Sequence, residues 1–122
     1  MILGVGVDIV EVERIGAALE RARTGARFRE RVFTPGEVAY CRRRRNAAES
    51  FAARFAAKEA VMKALGRAFG WREIEVVRDD GPPAIRLHGR AAAQAERVGV
   101  RRIHLSLSHT ARLAIAYAVA ES

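Results

Sequence analysis

Apolar and polar positions change their period several times along the chain, and each change predicts an element. The first nine residues are mostly apolar and predict a strand over 1–9. Alternation along it puts Gly4, Gly6 and Asp8 on one face, where two glycines leave backbone exposed beside a carboxylate. From Glu11 to Arg23 the period turns helical, with Val12, Ile15, Ala18 and Leu19 on one side and Arg14 and Arg21 off it. Thr24-Gly25 interrupts that run. Thr34-Pro35-Gly36-Glu37 then has the form of a helix start, with Thr at the N-cap, Pro at the first helical position and Glu placed to close a capping box.

Asn46 with Glu49 predicts a second cap, opening a long alanine-rich helix that reaches Leu65 and stops at Gly66. At about 100° per residue, Phe51, Phe55, Met62, Leu65 and Phe69 form one stripe, with Lys58 inside it and Glu59 on its edge. Strands follow at 73–78 and 84–88 around the turn Asp79-Asp80-Gly81-Pro82-Pro83, then a short helix near 90–97. Ile103, Leu105 and Leu107 alternate with His104, Ser106 and Ser108, and His109-Thr110 turns the chain into a last strand over 113–120.

With 122 residues, half of them apolar and no run long enough to span a membrane, the chain is expected to form one soluble domain over 1–122. The N-terminus lacks the basic and small-residue regions of a signal peptide, so a cytoplasmic location is expected. The lone Cys41 fits a reducing compartment, and without a neighbouring His it is expected to be structural. Twenty-two Lys and Arg against fourteen Asp and Glu give a formal charge of +8, which attracts polyanions without choosing among nucleic acid, an acidic protein and a phosphorylated cofactor.

Several residues have bland readings. Glu59 and Lys63 stand one turn apart, as in an ordinary helical pair, and Asp8 with Glu11 imitates a capping box. Together, however, Asp8 and Glu59 offer two carboxylates to Mg²⁺, which takes one or two from a protein and fills its octahedron with water and phosphate. Ser108-His109 is a poor hydrolase pair, because adjacent strand residues point to opposite sides and no third triad member is evident.

Three motifs then bear a family resemblance. Gly4-Val5-Gly6-Val7-Asp8-Ile9 with Arg14-Ile15, the run Phe55 to Gly66 (Phe-Ala-Ala-Lys-Glu-Ala-Val-Met-Lys-Ala-Leu-Gly), and Leu105-Ser106-Leu107-Ser108-His109-Thr110 resemble the signatures of the holo-acyl-carrier-protein synthases, a class of 4′-phosphopantetheinyl transferases. Phe33-Thr34-x-x-Glu37 and Asp80-Gly81-x-Pro83 match as well. Pro82, where a basic residue is common, and Arg42 to Arg45, in place of a lysine-rich segment, depart from the pattern.

The resemblance implies an α+β fold, a small antiparallel sheet packed on a long central helix, assembled as a homotrimer with coenzyme A bound between subunits. It implies that Asp8 and Glu59 hold Mg²⁺, and that Glu59 and Lys63 are catalytic, with Glu59 the candidate base. Lys58, Lys63, His109, Thr110 and Arg54 would contact coenzyme A, the last joined by the arginines at 42–45 near its 3′-phosphate. Arg14 and Arg21, helped by Arg27 and Arg31, would dock an acidic acyl carrier protein. The implied partners include neither nucleic acid nor membrane. The rival readings are a basic nucleic-acid-binding module, weakened by aromatics that fall on a buried stripe, and a scaffold of this fold that has lost turnover.

Overall fold

In the computed structural model of residues 1–122 the N-terminal apolar run forms β1 (Ile2–Glu11), which ends two residues later than the pattern predicts. It pairs antiparallel with β5 (Leu113–Glu121), which pairs antiparallel with β4 (Arg102–His109), so the three-stranded sheet runs β1-β5-β4. Between β1 and β4 lie five helices and a hairpin. The helices are α1 (Val12–Glu20), α2 (Gly25–Val32), α3 (Pro35–Arg42), α4 (Ala47–Leu65) and α5 (Gly89–Val98), and β2 (Ile74–Val77) pairs with β3 (Ala84–Leu87). A single 3₁₀ turn, Trp71–Glu73, leads into β2. The architecture is the expected α+β arrangement, a small antiparallel sheet on one long helix.

Two local expectations hold atom for atom. Thr34 Oγ1 accepts from Glu37 N at 3.2 Å while Glu37 Oε1 accepts from Thr34 N at 2.9 Å, a complete capping box with Pro35 behind it. Gly66 ends α4 in the left-handed region at φ 77°, a conformation that costs glycine nothing and most residues about 1 kcal/mol or more. Other expectations fail for physical reasons. Asn46 makes no side-chain cap, and Glu49 does not reach back to it but accepts from His109 instead. Asp8 is no cap either; it lies inside β1 opposite Ala116. α2 has no forecast counterpart, since Phe28 and Val32 are its only large apolar residues among three arginines.

The packing of α4 also departs from the aromatic stripe. Twelve of its nineteen residues are buried, on nearly every side. Its small face, including Ala56, Ala57, Ala60 and Ala64, meets the sheet, while Phe51 and Phe55 turn toward α2, α3 and the 3₁₀ turn. Gly4 and Gly6 make that approach possible. A Cβ on Gly4 would overlap the Ala64 carbonyl oxygen, and one on Gly6 the Ala60 carbonyl oxygen. The backbone those glycines bare is thus covered by a helix and is not open to a ligand. Ala114, Ala116, Ala118 and Ala120 of β5 complete the small-residue seam, all fully buried.

The other sheet face is different. Val5, Val7 and Ile9 of β1 and Leu113, Ile115 and Tyr117 of β5 all lie open to solvent, side by side in register. Cys41 sits in the core with no exposed surface, and burial raises its thiol pKa above the ordinary value.

Candidate active site

The candidate residues collect at two separate places. At the first, β1 carries Asp8 to the sheet face that α4 covers, and α4 carries Glu59 to its rim. Asp8 and Glu59 line one cavity of about 580 Å³ together with Arg14, Arg21, Phe28 and Phe55. Lys63 Nζ donates to the Val7 carbonyl at 2.9 Å and approaches Asp8 Oδ1 at 3.5 Å. Lys63 also lines, with Glu59, Met62, Gly66, Arg67 and Trp71, a second and more open hollow of about 620 Å³. Burial first, and the Asp8 charge second, hold the Glu59 carboxyl above the ordinary carboxylate range, against the opposing pull of Lys63 and Arg14. Asp8 and Glu59, with Glu11 also on the lining, face one hollow with partial compensation and make a place for a cation.

No cluster of three or more metal-binding side chains is present. Two carboxylates on one cavity nevertheless fit Mg²⁺, whose remaining positions go to water and phosphate oxygens. Arg14 and Arg21 stand at the mouth of the same cavity, both exposed and one helical face apart on and just beyond α1.

The second place is basic. Arg54, Arg44, Arg45, Arg78 and His109 line a cavity of about 140 Å³ with Tyr40, Asn46 and Ser50. Arg54 is 5% exposed; its guanidinium lies 4.3 Å from the Tyr40 ring centre and donates to Ser50 Oγ at 3.3 Å. Its buried Nε finds no partner, an unmet donor in a positively charged hollow. His109 donates Nδ1–H to Glu49 Oε1 at 3.0 Å, which orients the ring and leaves Nε2 for a ligand. Thr110 Oγ1 accepts from the backbone of Arg112 and Leu113, so that oxygen closes the β4–β5 turn.

Within one chain these places do not meet. Glu49 and Glu59 are ten residues apart, about 15 Å along α4, and Arg54 and Glu59 diverge by about 140° around it. Asp8 and His109 lie on opposite edge strands, with β5 between them. The two cavities share no lining residue.

Lys58 requires a correction. It was expected to touch a phosphate, yet it has no exposed surface: its ammonium contacts Glu37 Oε1 at 2.7 Å, the Ile74 carbonyl at 2.6 Å and the Trp71 carbonyl at 3.1 Å. Burial lowers its pKa, with Glu37 opposing the shift. Arg78 on the basic cavity and Glu49 as the partner of His109 were not foreseen. Nothing local marks them, because their neighbours there are distant in sequence.

The profile of the ACPS family, the 4'-phosphopantetheinyl transferase superfamily, matches residues 4–118. The chain is 49% identical to the holo-[acyl-carrier-protein] synthase of Koribacter versatilis over 126 residues, 99% of each protein. Its fold superposes on the crystal structure of holo-[acyl-carrier-protein] synthase from Neisseria meningitidis with a TM-score of 0.89 at 32% identity, covering all of both chains. A Bacillus anthracis holo-(acyl-carrier-protein) synthase, in complex with CoA (3',5'-ADP), gives 0.79 at 34% identity over 100% of this chain and 98% of that one. Fold, motifs and full-length identity thus agree: the chain belongs to the holo-[acyl-carrier-protein] synthase family of the 4'-phosphopantetheinyl transferase superfamily, and it is a transferase.

Proposed function

We propose that this enzyme moves the 4′-phosphopantetheine group of coenzyme A onto a serine of an apo acyl carrier protein, Mg²⁺-dependently, in the cytoplasm and in the service of fatty acid biosynthesis. The observation that carries the reading is the convergence of Asp8 and Glu59 on one cavity, with Lys63 beside Asp8 and two exposed arginines at the mouth. The coenzyme-bound Bacillus anthracis relative supports coenzyme A as the donor. No helix is long and apolar enough to cross a membrane.

The serine oxygen forms a bond to the pantetheine-side phosphorus as the bond to the bridging diphosphate oxygen breaks, and 3′,5′-ADP leaves. Glu59, on the lining of the cavity, is placed to receive the proton of the serine, directly or through a water. Lys63 and Asp8 hold each other in place beside it. Mg²⁺, when held by Asp8 and Glu59, supplies charge stabilisation to the diphosphate oxygens. Arg14 and Arg21 steer the acidic carrier toward the cavity mouth. Arg54, Arg44, Arg45 and His109 suit a phosphate monoester such as the 3′-phosphate of coenzyme A, with an unmet Arg54 Nε–H to offer.

The family resemblance implies a homotrimer, and two features of the chain suit a closed assembly. One chain holds a cation half and an anion half that do not meet, and a broad apolar sheet face lies uncovered. Closed rotational symmetry lets each copy lend its basic cavity to the next one's carboxylates while burying that face. The rival nucleic-acid module loses support because Phe28, Phe33, Phe51, Phe55 and Trp71 pack on one another and form no exposed stacking platform.

Intact-mass spectrometry of an apo carrier incubated with the enzyme, coenzyme A and Mg²⁺ tests the reading. A phosphopantetheine mass gain that EDTA abolishes is expected. No gain with several folded apo carriers would overturn it in favour of a scaffold that has lost turnover.

A further inference from the structure

Adjacent residues on α4 have opposite surroundings, and the buried one has no role in the reaction described so far. The Lys58 ammonium has three protons and three acceptors, Glu37 Oε1, Trp71 O and Ile74 O, so none is left for a substrate. Each acceptor comes from a different element: the first turn of α3, the start of the 3₁₀ turn and the start of β2. Glu37 extends the tie, its Oε2 accepting from Val76 N at 2.8 Å. The ammonium thereby joins three segments to α4 at the residue before Glu59.

The segment held by the Trp71 carbonyl is a wall of the site. Trp71 stacks on Phe55 with ring centres 4.8 Å apart and lines the hollow that Glu59 and Lys63 share. We propose that Lys58 is a positioning residue for group transfer: it fixes the Trp71 wall against α4, so that a substrate in that hollow is pressed toward Glu59 and Lys63. This rests on the transfer reaction proposed above. A buried charge pair is a poor choice for stability alone, since apolar replacements of similar volume often serve as well. It does hold a fixed geometry, which an ordered wall requires, and a displacement of about 1 Å at a reacting centre can cost about 100-fold in rate.

The test pairs Lys58→Met with Glu37→Gln, so that neither charge is stranded, and uses Trp71, the only tryptophan, as a reporter. Wild-type turnover is measured first, and its absence would count against the transfer reading and not against Lys58. With an active wild type, the double variant is expected to fold with a lowered thermal midpoint, because the buried Ile74 carbonyl loses its ammonium donor, and, assayed well below that midpoint, to keep its KM for the carrier, which docks on α1. Its kcat is expected to fall about 100-fold, while Trp71 emission shifts to the red and becomes more open to acrylamide quenching. Wild-type kcat in a folded double variant would overturn the proposal and leave Lys58 as scaffold. Should that variant not fold, Trp71→Ala decides, because it keeps the main-chain acceptor and removes only the wall. A loss of kcat at unchanged carrier KM supports the proposal, and unaltered kinetics overturn it.

Discussion

The two ends of α4 make opposite electrostatic demands. Near its start, Arg54 and His109 with Arg44, Arg45 and Arg78 enclose a hollow that is short of negative charge, to the point of leaving a buried guanidinium N–H unpartnered. Toward its end, Asp8 and Glu59 crowd one hollow that Lys63, Arg14 and Arg21 only partly balance, and the Glu59 carboxyl resists ionisation. Neither demand is fully met inside one chain, whereas Lys58 and Glu37, equally charged and more deeply buried, satisfy each other. Charge that closes on itself maintains the fold; charge left unbalanced marks where a ligand belongs. A substrate carrying both a diphosphate with its cation and a separate phosphate answers both ends together.

The largest expected effect comes from the carboxylate end. Glu59→Gln should lower turnover by ~10²–10³-fold with an unchanged circular dichroism spectrum, the range seen when one preorganised electrostatic group is lost. A wild-type rate would remove Glu59 from the chemistry. At the basic end, His109→Ala should raise the KM for coenzyme A by roughly 10–100-fold, the worth of one charge-assisted hydrogen bond. Co-refolding the two variants would sharpen the contrast. If neighbouring copies complete each site, about a quarter of the sites in a random mixture pair an intact Glu59 with an intact His109, and activity returns in that proportion. Mixtures no better than their components would mean that each site draws on one copy alone.

Arg14→Glu should act more modestly, raising the KM for the carrier about 10-fold at low salt, less at high salt, and leaving that for coenzyme A within about twofold. An unaltered carrier KM would take Arg14 off the docking surface. The smallest effect concerns stability. Because the Glu59 pKa is raised on folding, the folded state holds that proton more tightly than the unfolded chain does. Its stabilising contribution is full below the ordinary carboxylate value and is lost as pH rises through the raised value. Glu59→Gln should therefore melt slightly above wild type at pH 7 without metal, and the gap should close when both are melted in acid. A lower midpoint for the variant at pH 7 would mean that the site carries no such unrelieved repulsion.

What could be read from the residues divides by the range of the interaction. The α3 capping box, the Gly66 stop and the alternation of β4 depend on neighbours within a few positions, so the pattern carries them. α2 was illegible because its apolar content is too low to show a period; it is held by Phe28 packing on Phe33 and Phe55. Lys58 was misassigned because Glu37, its partner, lies 21 residues away and was already accounted for as a cap. Glu49 was assigned to Asn46 but serves His109, 60 residues on. Asp8 and Glu59, by contrast, are paired from sequence by donor chemistry and by the family resemblance, and the fold brings them to one cavity.

Cys41 carries a consequence for handling a thiol substrate. Coenzyme A and the modified carrier both end in a free sulfhydryl, and an accessible protein thiol beside them would be open to mixed-disulfide capture whenever conditions turn oxidising. The enzyme's only sulfhydryl is sealed in the core and disinclined to ionise, so the catalyst stays chemically silent toward the functional group it delivers. A cysteine introduced anywhere on the surface would then be the sole reactive handle in the native state, ready for attaching a reporter dye without first removing a native competitor.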